Sequence, residues 1–174
     1  MEMGMEIALV MGDDRELELD QTFENLYSRE APDVLRFLRT ASDPEHAEDL
    51  CADVFSAAWR SWPRFRGTNA QARAWVYRIA RNAVVDAHRR QKRLRFVGLQ
   101  PTFAATSTDG PGGDTLDLRR ALGRLGIRDR SLLALRAAGL SYEEIGNIHK
   151  LRPGAARVAW HRSARRLRDL LEAE

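Results

Sequence analysis

Apolar positions recur every three to four residues along most of the chain, the period of amphipathic helices. Phe23, Leu26 and Tyr27 follow it, and so do Val34, Leu35 and Leu38. Pro32 is expected to begin a second helical segment there, because proline fits a first turn and not a helix interior. The stretch "SDPEHAEDLCADVFSAAWRSWP" reads as a further helix. Ser42 and Glu45 form a capping box, Pro44 sits in the first turn, and Pro63 ends the helix. Its apolar stripe is Leu50, Val54, Phe55, Ala58 and Trp62, and Trp59 is expected in the core as well. A loop, Arg64 to Asn69, leads to a long helix from about Ala70 to Arg93. One edge of that helix holds Val76, Ile79, Ala80, Ala83, Val84 and Ala87. The other holds Tyr77, Arg78, Arg81, Asn82, Arg89 and Arg90.

The pattern then lapses. "GLQPTFAATSTDGPGGDT" is rich in Gly, Pro, Ser and Thr and reads as a linker. Four more helices follow: Leu116 to Leu125, Arg128 to Ala138 stopped by Gly139, "SYEEIGNIH" capped by Ser141 and Glu144, and Pro153 to Leu171. The fold class is therefore all-α. Two small helical domains, residues 21–95 and 115–174, are joined by a flexible linker, 96–114, behind an N-terminal extension, 1–20.

Charge sharpens this division. The chain has 174 residues and a net charge of only +3, but residues 1–50 hold 14 acids against 4 bases, and residues 51–100 hold 2 acids against 11 bases. An acidic lobe facing one partner and basic lobes facing a polyanion would produce such an asymmetry. The bases are nearly all arginine, whose planar fork bonds phosphates and base edges bidentately. A single cysteine, Cys51, excludes an intrachain disulfide and a cysteine-based zinc site, which fits a reducing cytoplasm. No apolar run approaches the roughly 20 residues of a membrane span, so membrane insertion is not expected.

Three constellations could carry function. In the C-terminal lobe, a short helix, a tight turn and a longer helix make a helix-turn-helix candidate, against the plainer reading of a helical hairpin with a wet basic face. Ile145 and Ile148 would be core, with Gly146 leaving room where the helices cross. Ala156, Trp160, Ala164 and Leu167 form the buried stripe of the last helix, and Arg152, Arg157, His161, Arg162, Arg165 and Arg166 its outer faces. In the long helix, aromatics interleaved with arginines suit unpaired bases: rings stack while arginines hold phosphates. The acidic helix carries Asp43, Glu45, Glu48, Asp49 and Asp53 on its exposed side. His46 stands alone among them, so a docking surface or a solvated face is expected, and no metal site. No glycine-rich phosphate loop, nucleophile elbow or zinc pattern is present, so no catalytic residue and no cofactor is expected.

The segments "AEDLCADVFSAAWRSWPRFRG", "RAWVYRIARNAVVDAHRRQKR" and "LSYEEIGNIHKLRPGAARVAWHRSARRLRDLL" resemble those of bacterial RNA polymerase sigma factors of the extracytoplasmic function (ECF) group. The resemblance covers about Phe23 to Leu171. It implies an alternative sigma factor that binds core polymerase and directs promoter recognition and melting, with no enzymatic activity of its own. Glu48, Asp49, Leu50, Asp53, Val54 and Phe55 would dock on the clamp helices of the large polymerase subunit. Phe65, Arg66, Thr68, Asn69, Tyr77, Arg78, Arg81, Asn82 and Arg89 would hold the −10 element, including an extruded base of the non-template strand. Arg152, Ala155, Arg157, His161, Arg162 and Arg165 would read the −35 element. Family members are often held by an anti-sigma factor.

The last segment departs from the family pattern. Ala155 replaces a threonine, and Val158 and Ala159 replace a serine–arginine pair that commonly faces DNA. Lys150 stands where glycine is usual, at a turn position that demands a positive φ. These changes imply weaker or altered −35 reading. A stand-alone helix-turn-helix regulator and a degenerate sigma-like docking protein are the alternatives.

Overall fold

The computed structural model describes residues 23–96 and 113–173. Within them the regular elements are all helical: α1 (residues 23–41), α2 (Ala47–Ser61), α3 (Asn69–Phe96), α4 (Gly113–Arg124), α5 (Ile127–Ala137), α6 (Tyr142–His149) and α7 (Pro153–Glu172). Single 3-10 turns at Pro44–His46 and Trp62–Arg64 flank α2. The N-terminal extension and most of the expected linker lie outside the described residues.

The periodicity places the helices well, and local chemistry explains the departures. Residues 23–41 are one helix, and Pro32 does not divide it. Proline removes the bond to the carbonyl of Ser28, but both residues are exposed, so water can take that carbonyl. The expected Ser42–Glu45 box does not form. Ser42 donates back to the Leu38 carbonyl at 2.7 Å, and Asp43 caps instead, accepting from the Glu45 amide at 3.2 Å. The Ser141–Glu144 box forms in both directions, at 2.7 and 3.2 Å. A second box, Thr68–Gln71, starts α3 with bonds of 2.9 and 3.3 Å.

In the N-terminal lobe, α2 packs along α3, and Val34, Phe37, Leu38, Val54, Phe55, Ala58, Val76, Ala80 and Val84 fill the core. In the C-terminal lobe, α7 packs on α4, α5 and α6 over Leu132, Leu135, Leu140, Ile145, Ile148 and Ala156. The two cores are continuous, because α3 also packs against α5 and α6. Arg73 of α3 ties the junction. Its Nε donates to Glu30 Oε2 of α1 at 3.1 Å, and its Nη2 donates to the Ala138 carbonyl at the end of α5. Glu30 is nearly fully buried and also bonds Arg29 Nε at 2.8 Å, so its charge is compensated where burial would otherwise be costly.

Candidate nucleic-acid interface

The acidic helix turns its carboxylates outward. Glu48, Asp49 and Asp53 are exposed on α2, and Glu48 is held by Arg39 at 2.8 Å. Leu50 is half-buried at the edge of this face. Val54 and Phe55, expected on the docking surface, are buried instead: they are the residues that seat α2 on the core. Cys51 beside them is half-buried, and burial pushes its thiol up, away from reactivity.

The loop before α3 is tied down by ring contacts and hydrogen bonds. Phe65 is half-buried, stacked on Trp62 at 5.3 Å and tilted against Trp75 at 4.9 Å. Arg66 is exposed, with Nη1 donating to the Pro63 and Phe65 carbonyls at 2.8 and 2.9 Å. Thr68 is the α3 cap, so its hydroxyl has a structural task. Asn69 opens α3.

Along α3, Arg78, Asn82 and Arg89 are exposed, and Arg81 is half-buried beside α6. Tyr77 corrects the expected face. It is fully buried, edge-on to Phe37 at 5.7 Å with the Arg73 guanidinium 5.8 Å from its ring centre. Its phenol has no hydrogen-bond partner among the described residues, and burial pushes it up to about 12. Its position one residue from Val76 makes it a neighbour of the apolar edge, and the spacing alone does not say on which side an aromatic falls. Trp59 errs the other way. It is 47% exposed, and with Phe23, Glu24 and the half-exposed Tyr27 it lines a shallow cleft of about 340 Å³.

The C-terminal lobe builds a tight helix-turn-helix. Lys150 closes α6 in the left-handed region, at φ 57° and ψ 44°, as its place in the turn predicts. Gly146 is required by the turn and not by a helix crossing: a Cβ there would stand 2.7 Å from the Leu151 carbonyl oxygen. His149, the last residue of α6, is buried, with Nε2 3.1 Å from the Ser131 hydroxyl. Burial first, then the nearby charges of Arg81 and Arg128, push its imidazole down to about 4. Arg152, which precedes α7, and Ala155, Arg157, His161, Arg162 and Arg165 along it are all exposed. The helix is anchored from inside by buried Ser163, whose hydroxyl donates to Asp129 Oδ1 at 2.7 Å. Arg166 reaches the other oxygen of that carboxylate at 2.7 Å.

Two residues that the sequence pattern did not single out matter to the architecture: Arg73, which links the lobes, and Gln71, which completes the cap of α3. Gln71 had a readable sign, a threonine three residues before a glutamine at a helix start. Arg73 had none, because its partners lie 43 and 65 residues away.

The structure thus holds two helical lobes, one with an acidic outer face beside an arginine-lined helix and one in which a short helix, a tight turn and a longer helix follow one another. Residues 26–94 match the family model for sigma-70 region 2. The chain is 35% identical to the RNA polymerase sigma factor CarQ of Myxococcus xanthus, over 86% of this chain and 88% of that one. It is 32% identical to the ECF RNA polymerase sigma factor ShbA of Streptomyces griseus, over 87% and 88%. Among solved structures it resembles the sigma factor RpoE of Bartonella quintana, crystallised in complex with the anti-sigma factor NepR. The TM-score is 0.65 at 28% identity, covering 92% of this chain and 98% of that one. The chain belongs to the ECF family of RNA polymerase sigma factors.

Proposed function

We propose that this sigma factor divides promoter selection between its two lobes, residues 21–95 and 115–174, with 96–114 as the connection. The exposed carboxylates Glu48, Asp49 and Asp53, edged by Leu50, dock on the clamp helices of core polymerase, with Val54 and Phe55 supporting them from the core. Arg66, Arg78, Arg81, Asn82 and Arg89, with Phe65 and Asn69 at the entry to α3, hold the −10 element. Tyr77 acts from beneath that surface. Arg152, Arg157, His161, Arg162 and Arg165, with Ala155, face the −35 element. The chain itself catalyses nothing; the polymerase performs the chemistry, in the cytoplasm.

The observation that carries this reading is the segregation of exposed charge. The outer face of α2 is carboxylate, while the outer faces of α3 and α7 are arginine. A stand-alone regulator has no use for the acidic face. An anti-sigma factor is the expected regulator, supported by the Bartonella relative having been solved with one.

The test is run-off transcription from a pool of promoter fragments with sigma-free bacterial core polymerase. Adding the protein should produce new, defined transcripts. Arg78→Ala with Arg81→Ala should weaken open-complex formation and leave core binding intact. The salt slope should fall by about 0.7 for each single-strand phosphate that is no longer held. Failure of that double variant to bind core would refute the assignment of α3 to DNA.

A further inference from the structure

The outward face of α7 begins with residues that cannot hydrogen-bond through a side chain. Ala156 and Ser163 are buried, and Ala159, Trp160 and Leu167 are partly so, which fixes the inner side of the helix. At about 100° per residue, the line opposite them runs through Gly154, Val158, His161 and Arg165. Val158 is 49% exposed at the centre of that line, with Arg157 and Arg162 on its two flanks. Single exposed apolar residues are ordinary on protein surfaces. This one is a β-branched residue at the middle of the face, between Gly154 on one side and His161 and Arg165 on the other.

Its neighbour Ala159 is not part of that face. It packs against the core, and its carbonyl oxygen lies 3.0 Å from the Ser163 hydroxyl. The two replacements noted in the sequence therefore separate: Ala159 serves the fold and Val158 looks outward. Gly154 adds an independent observation. A Cβ there would meet nothing within 4 Å, so packing does not require glycine. The surface at the first turn, one helical turn before Val158, is therefore open.

We propose that Val158 reads the C5-methyl group of a thymine in the −35 element, so that the first two turns of α7 select bases by apolar contact. This rests on α7 being the −35 reader. In the major groove only thymine among the four bases offers an apolar group, and a small aliphatic side chain is its natural complement. The stiff χ1 of valine holds both methyls in place before binding. Arg157 and Arg162 set the register by gripping phosphate on either side.

The experiment uses holoenzyme reconstituted from the full chain and sigma-free core. Preferred −35 sequences are selected from a randomised pool, and each thymine is then replaced in turn by deoxyuridine, which removes only the methyl group. At one position the replacement should weaken binding about fourfold, the weight of one methyl-sized group taken out of water. Val158→Ala should abolish the sensitivity at that position alone. Because Val158 is exposed, this variant should keep the wild-type melting temperature. A clear −35 preference with no deoxyuridine effect, or an effect that survives in Val158→Ala, overturns the role of Val158 and leaves α7 as the reader. If no −35 preference emerges and Arg157→Ala and Arg162→Ala leave promoter binding unchanged, both readings fail together.

Discussion

His149 should make the C-terminal lobe sensitive to mild acid. In the folded protein its imidazole is held down to about 4 by burial and by Arg81 of α3 and Arg128 of α5. In the unfolded chain it titrates near 6.5. Between those values the unfolded chain binds a proton that the folded one refuses, so stability rises with pH across this window. The contribution is complete above about pH 7 and is lost as the pH falls toward 4. At pH 5 the loss relative to pH 7 comes to about 2 kcal/mol, a sizeable part of the stability of a small domain. Urea unfolding at pH 7 and pH 5 measures it directly, with His149→Gln as the comparison. The wild type should lose about 2 kcal/mol more than the variant over this interval. A proton NMR titration of the four histidines should show one that stays neutral down to pH 5. Equal losses in the two proteins, or a His149 resonance that titrates between pH 6 and 7, would refute the reasoning. Arg81→Ala should raise the His149 pKa part of the way and shrink the pH effect, since that charge reaches the imidazole across the junction of the lobes.

Two further predictions concern the turn. Gly146→Ala should destabilise the C-terminal lobe by about 1–3 kcal/mol in urea unfolding, because its Cβ meets a backbone oxygen at 2.7 Å that no side-chain rotation can move. An unchanged midpoint would mean that the turn has more freedom than its geometry indicates. Lys150→Gly should raise stability by up to about 1 kcal/mol, since φ is 57° there and a Cβ is disfavoured in the left-handed region. A lower melting temperature would show that the lysine side chain offsets the cost of its backbone.

Helix existence and order were legible in the chain because amphipathic spacing is a local property. The capping pair Ser141–Glu144, the left-handed Lys150 and the stops at Pro63 and Gly139 could all be read from neighbours a few residues apart. So could the sigma-factor family, whose motifs lie in contiguous segments. The sidedness of residues at the margin of a stripe was not legible. Tyr77 sits inside and Trp59 half outside, although both stand at spacings compatible with either, because the neighbouring helix decides which flank of a stripe is covered. Ala159 and Val158 are adjacent and both small and apolar, yet one packs inward and the other faces water for the same reason. The joining of the two lobes through Arg73, Glu30 and the end of α5, and the depressed His149 imidazole, depend on groups brought together from distant parts of the chain. No local pattern encodes such pairs; they exist only once desolvation and packing have chosen which helices touch.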